Sequence, residues 1–279
     1  MKRVVFWVAC LVLMACCFTA SGATSDRPWG SMAVSGVLDI NPDGSVRDYT
    51  VDRPEKLPSV VLDVLKQTVP GWRFEVDTRK PAIARVRMNV RVVAKPVDRT
   101  EFSISVEGVD FADDSRNAAE DLTERDMTPP VYPRDAIDIR TAATVYVLVR
   151  VGRDGHVLDA AAEQVNFTMA CPKYARAGLE RIFIASSVKA ARRWTFAIPT
   201  KGPLADSPYW NARVPVVYSL AEYGERVKEP AYGAWQPYLP GGRLAIPWET
   251  DPSLLATAPD AAPDGKATLL DGKPRLVMQ

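Results

Sequence analysis

The chain has 279 residues, 47% of them hydrophobic and 25% charged, with 35 basic side chains against 34 acidic ones. At roughly 100 to 200 residues per domain that length holds two small domains, and the balance is that of a folded globular protein. A net charge of +1 excludes attraction to nucleic acid or to an anionic membrane by a long-range basic field, so a partner must be met through shape and hydrogen bonding.

Residues 1–23 read as an export signal: Lys2-Arg3, an apolar run over 4–15, and small residues ending Ser21-Gly22-Ala23. The run is shorter than the roughly 18 to 20 apolar residues of a membrane span, and an uncleaved anchor needs it extended through Phe18. Two cleavage sites compete. Leu13-Met14-Ala15-Cys16 has the form of a lipobox, in which Cys16 is acylated and becomes the new amino terminus; Ser21-x-Ala23 is the ordinary alternative. Either way the mature chain is expected in the periplasm or cell envelope. With cleavage after Ala23, Cys171 is the one thiol left and no internal disulfide can form.

A first unit is expected over 28–109. Met32, Val34, Gly36, Leu38 and Ile40 share one face of a strand by their period of two. The 41–45 turn, Asn-Pro-Asp-Gly-Ser, folds it back on a strand over 46–51. A helix follows from Ser59, placed to cap, with Val61, Leu65, Val69 and Trp72 at helical spacing, and Pro70-Gly71 ends it. Trp72-Arg73-Phe74 leads to a strand over 85–94, with Val86, Met88, Val90 and Val92 inward and Arg85, Arg87, Asn89 and Arg91 outward as a solvated face. Another alternating strand spans 102–107. Residues 110–128, with seven acidic side chains between 110 and 127, read as a linker with helical character at 118–122.

The same order of features then returns over 129–222. Pro129, Pro130 and Pro133 fix an extended lead-in. Val145, Val147, Val149 and Val151 line a strand, Asp154-Gly155 turns it, and 157–165 runs back. A helix over 174–193 places Leu179, Phe183, Ala190 and Trp194 on one face. Trp194-Thr195-Phe196 repeats Trp72-Arg73-Phe74, and 213–220 is a closing strand. The fold class expected is therefore α+β: two related units, each a small antiparallel sheet packed with one helix. A tail over 223–279 is rich in proline and aromatic residues and is expected to lie against the core or a partner. Its 256–265 stretch reads as disordered, and 269–278 as a short hairpin about Asp271-Gly272.

Four features in register over 129–220 carry a resemblance: the Pro130-Val131-Tyr132-Pro133 lead-in, the Asp154-Gly155 hairpin, the helix ending in Trp194-x-Phe196, and the alternating last strand. This order resembles the carboxy-terminal domain of the TonB energy transducers, and residues 32–94 resemble it more loosely. The resemblance implies a bacterial envelope protein that accepts an extended peptide, such as a segment of an outer-membrane transporter, on the edge of its last strand. The residues it implies are Tyr132, Pro133, Arg213, Val214, Val216, Val217 and Tyr218, with Pro215 removing one donor. The chain departs from a working transducer in its short apolar run and in lacking a long proline-rich spacer after it. These departures count against energy transduction without deciding it, and linkage to TonB-type transport is left open.

No enzymatic chemistry is expected. His156 is the one histidine, and neither it nor Cys171 is accompanied by a third orienting group, an elbow motif or an oxyanion-hole signature. Gly265-Lys266 and Gly272-Lys273 lack the context of a phosphate loop, and no metal-ligand spacing occurs, so neither cofactor nor metal is expected. The partner is a peptide or protein of the envelope, with no nucleic acid, and membrane contact only through a lipid or anchor at the amino terminus. A structural envelope lipoprotein held by Cys16 is the alternative.

Overall fold

The computed structural model describes residues 28–75, 83–112, 118–169, 171–221, 227, 230–248, 258–262, 266–271 and 275–277. The export signal and Cys16 lie outside the described residues. The structure is mixed α+β, mostly antiparallel sheet with few helices. Among the described residues no helix is long and apolar enough to cross a membrane.

In the first half, β1 (Trp29–Ile40) and β2 (Val46–Val51) form the hairpin, α1 (Ser59–Thr68) follows, and β3 (Phe74–Glu75) leads to β4 (Ala84–Pro96) and β5 (Phe102–Ala112). β4 returns to pair along β1 from Ala94 opposite Gly30 to Ala84 opposite Ile40, and β5 pairs on β4. The inward face is the one expected: Met32, Val34, Leu38, Ile40, Val86, Met88, Val90 and Val92 are buried with Val61 and Leu65 of α1. Pro58, not Ser59, precedes the first turn of α1.

After β6 (Thr123–Asp126) and α2 (Arg134–Asp138), the second half repeats the order: β7 (Ala143–Gly152), β8 (Val157–Phe167), α3 (Lys173–Ala191), β9 (Thr195–Ala197) and β10 (Tyr209–Tyr218), with β10 pairing back on β7. In both halves the third long strand lies beside the first strand of the hairpin, on the side away from the second. α3 is built from good helix formers. It buries Leu179, Phe183, Ser187, Ala190 and Ala191, spaced to share one face, against the valines of β7. Burial of Phe183 alone is worth about 1.5–3 kcal/mol. The one hydroxyl on that stripe, Ser187, is satisfied by the Tyr218 hydroxyl at 2.9 Å.

The two turns are built alike. Asn41 N–H donates to Ser45 O at 2.8 Å, as Gly152 N–H does to His156 O at 2.8 Å. Gly44 and Gly155 stand at φ +82° and +79°, a region closed to most side chains, and a Cβ on either would lie 2.1 Å or 2.3 Å from the carbonyl oxygen of Phe74 or Phe196. Those phenylalanines donate their N–H back to Gly44 O at 2.9 Å and Gly155 O at 2.8 Å. The Trp-x-Phe step thus closes each hairpin turn over the end of its helix.

Several stretches differ from the sequence expectation. The acidic stretch 110–128 is not merely a linker: Asp110 to Ala112 extend β5, β6 pairs with β9, and 118–120 forms a turn rather than a helix. Pro259–Ala261 forms a buried 3-10 turn inside the stretch read as disordered. The carboxy-terminal segments do not pair with each other: β12 (Thr268–Leu269) adds to β10, and β13 (Arg275–Leu276) adds to β3. Hydrogen bonds to distant strands outweigh the local turn. The outward arginines of β4 are occupied. Arg85 pairs with Asp39 at 3.0 Å, Arg87 pairs with Asp52, and Arg91 reaches the Ser31 hydroxyl at 2.8 Å and the Asp260 carbonyl at 2.6 Å.

The tail staples the halves together. β11 (Gln236–Tyr238) pairs with the start of β1, and the next residue, Leu239, exchanges both backbone hydrogen bonds with Phe167 of β8 at 2.9 and 3.0 Å. The Tyr232 hydroxyl sits on the backbone of Ser35, between the stretches of β1 covered by β11 and by β2. Asp260 is buried where Arg91 of the first sheet, Asn166 of the second and Tyr238 of the tail meet. The Tyr238 phenol is pushed far above its usual range, first by burial and then by that carboxylate.

Candidate functional site at the edge of the second sheet

Among the described residues, β10 is an edge strand with only part of that edge covered. Ala212 and Arg213 pair with Leu269 and Thr268 of β12. Leu270 N–H donates to Asn211 O at 2.9 Å, and Asn211 N–H donates to the Asp271 carboxylate at 2.7 Å. The backbone groups of Asn211 therefore point away from β7. Because orientation alternates along a strand and β7 and β10 pair without a register shift, those of Arg213, Pro215 and Val217 do so too. Beyond β12, the outward groups of 215–217 have no partner among the described residues.

Pro215 stands at one of these outward positions. Its missing N–H costs the β7–β10 ladder nothing, while it removes a donor that another strand would use. What the open half offers is the carbonyl of Pro215 and both backbone groups of Val217. Val217 is also the one side chain of the pair Val216 and Val217 left outside, at 46% exposed.

The residues that the resemblance implies for binding fall into three environments. Val214, Val216 and Tyr218 point into the core beneath the sheet, so only their position on the strand, not their side chains, bears on an added strand. Arg213 is fully buried: its guanidinium makes a two-pronged pair with Glu163 at 2.6 and 2.9 Å, and Arg243 reaches the same carboxylate at 2.6 Å. Its side chain is engaged inside the protein, and its backbone lies in the half covered by β12. Charge and flanking apolar residues in the sequence give no hint of this pairing, because Glu163 is 50 positions away.

Tyr132 and Pro133 lie not on the edge but over the inner face. The Tyr132 ring packs edge-on to Tyr218 at 5.3 Å and Phe183 at 6.0 Å, and its hydroxyl donates to Thr141 O at 2.7 Å. Burial pushes this phenol up to about 12, with Tyr218 adding to the shift. Pro133 caps α2, and the stretch before it is tacked to α3: the Trp194 indole donates to Thr128 O at 3.0 Å, and the Ser186 hydroxyl donates to Val131 O. The proline lead-in is a strap across the helix, fixed at three points.

Sequence reasoning passed over the groove this strap leaves against α3. It holds about 330 Å³ and is lined by residues 130–134 together with Ile182, Ser186, Lys189, Ala190 and Arg193. The usable signal was the i, i+4 spacing of Lys189 and Arg193 beside the proline run.

Cys171 is buried at 6% exposure, and burial pushes its thiol up against the opposing pull of Arg176, which keeps it in the less nucleophilic form. His156 sits in the turn with its N–H on the Asp154 carboxylate at 3.0 Å, and its backbone bridges Thr195. Among the described residues no three of His, Cys, Asp and Glu gather as metal ligands would.

Comparison of the chain with protein-family models, with curated proteins and with solved structures returns no match.

Proposed function

We propose that this protein is an exported, non-enzymatic module of the cell envelope. It binds an extended segment of a peptide or protein partner as an added strand on the open half of β10. The observation that carries this reading is the outward backbone of 215–217, which has no partner among the described residues and lies beside a half-edge that β12 already covers. Strand addition gains affinity from main-chain hydrogen bonds, and the exposed Val217 side chain supplies a contact on the outer face. The hairpin, helix and returning strand of each half also suit a TonB-like carboxy-terminal domain in two copies, and with it a partner such as an outer-membrane transporter segment. Linkage to TonB-type transport rests on that resemblance alone.

The experiment is backbone amide exchange across 213–219 with and without envelope extract. Slowed exchange at Val217 and Ser219 is the expected result, and unchanged protection rejects the edge as the binding surface.

Pro215 favours a second reading, a structural envelope lipoprotein held through Cys16, because a blunted edge suits a scaffold that must not pair further. The mass of the processed chain separates the two. An acylated Cys16 supports the scaffold, and an unmodified start at Thr24 removes it.

A further inference from the structure

The groove between the proline strap and α3 is a surface separate from the edge of β10, and its chemistry is of another kind. Its floor and walls are apolar: Ile182 and Ala190 belong to the helix, and Val131 stands 79% exposed on the strap. Its rim carries Arg134, Lys189 and Arg193. No carboxylate lines it, and none of the three cations has an ion-pair partner among the described residues. The contrast with β4 is direct, since there Arg85 and Arg87 face Asp39 and Asp52.

Helix stability alone does not account for this cluster. Lys189 and Arg193 suit the negative end of α3, but at i, i+4 spacing they also repel each other. Arg134 is the first residue of α2, where the helix end is positive and a cation is disfavoured. Three cations, from α2, from α3 and from the turn just after α3, around an apolar slot form a field that an anion with apolar neighbours would neutralise. The strap wall is held stiff by Pro130 and Pro133 and by the Ser186 and Tyr132 hydrogen bonds, so little ordering remains to be done when a ligand arrives.

We propose that this groove binds an extended acidic peptide, its carboxylates taken by Arg134, Lys189 and Arg193 and its apolar side chains by Val131 and Ile182. A peptide suits this lining better than a compact anion, because the three cations stand with the apolar side chains of Val131, Ile182 and Ala190. The peptide's charge supplies orientation, rate and about a tenfold share of the affinity, and the apolar contacts supply the rest.

The test uses a fluorescent peptide alternating aspartate and valine, titrated into the processed protein, with the asparagine and lysine versions as controls. The expected result is saturable binding of the aspartate peptide that weakens as salt is raised, about tenfold weaker binding of the asparagine version, and no binding of the lysine version. The triple variant R134Q/K189Q/R193Q should bind it about tenfold more weakly, as three exposed charge pairs are removed. All three residues are exposed, so the variant is expected to keep the wild-type melting curve. Val131→Asp, which adds a like charge to the wall, should weaken binding without touching the cations. Equal binding of all three peptides, or undiminished binding by the triple variant, overturns the proposal. So does binding to anionic-lipid vesicles without binding to the peptide, which would assign the groove to a membrane surface. Because 213–219 is unaltered in these variants, amide exchange at Val217 reports separately on the edge.

Discussion

The two halves carry the same frame and present different surfaces. In each, a hairpin turns at Asp-Gly, a helix follows, a Trp-x-Phe step closes the turn, and a long strand returns to the first. The difference lies in what is laid on that returning strand. β4 receives β5 along ten register positions, from Arg87 to Pro96, whereas among the described residues β10 receives only the two of β12. Even the short strands after the helices are satisfied differently, β3 by the carboxy-terminal β13 and β9 by β6. A like order of hairpin, helix and returning strand therefore comes with like internal bonds but not with a like rim. The rim is decided by the segments between and after the units.

The comparison breaks most sharply at the junction. Glu163→Ala should remove the carboxylate that faces the buried Arg213 guanidinium and destabilise the protein by about 3–5 kcal/mol, measured by urea denaturation; a loss under about 1 kcal/mol would mean that water or another group takes over the charge of Arg213. No first-half counterpart of this pair exists among the described residues, so the effect should be confined to the second sheet.

Gly44→Ala and Gly155→Ala test the likeness itself. Each places a Cβ at a positive φ and within 2.3 Å of a carbonyl oxygen, so each should cost more than about 1 kcal/mol. Thermal melts showing a large loss for one and none for the other would separate the halves.

Tyr132→Phe removes the hydroxyl that satisfies Thr141 O, a bond without an equivalent in the first half. The expected loss is about 0.5–1.5 kcal/mol, with faster exchange in residues 134–141. The same phenol makes stability fall with pH. Its folded value near 12 lies above the ordinary tyrosine value of 10, so its contribution is complete below pH 10 and is lost as pH rises toward 12. In Tyr132→Phe the decline over that window should be shallower.

Pro215→Val should change stability least, within about 0.5 kcal/mol, because no ladder bond to β7 is gained. It restores an outward donor, so self-association or peptide pairing should increase, seen by sedimentation. No change in either would show that the open half-edge is not competent to pair.

How much of this was legible can be read from particular residues. The alternation of Met32 to Ile40 and of Val145 to Val151 gave the core faces, because a strand's period of two needs only its own residues. The Asp-Gly pairs gave the turns of the two hairpins, because only glycine meets the positive φ at Gly44 and Gly155 without strain. Hidden from the sequence were the Glu163–Arg213 pair, the Asp260 junction and the splitting of 268–276 between two sheets. Each joins positions far apart in the chain, and none leaves a local period. The half-covered edge was hidden for the same reason: Pro215 is visible, but which way its nitrogen faces follows only from the register with β7 and β12.

The sequence by itself determined which residues make the two hairpin turns, which alternate and where the two long helices lie, since steric and hydrophobic preferences act over a few neighbours. Only the tertiary structure decided that the tail bolts the two sheets together and leaves part of one rim open. Hydrogen-bond pairing between distant strands depends on where the chain returns in space, and no stretch of neighbours encodes that alone.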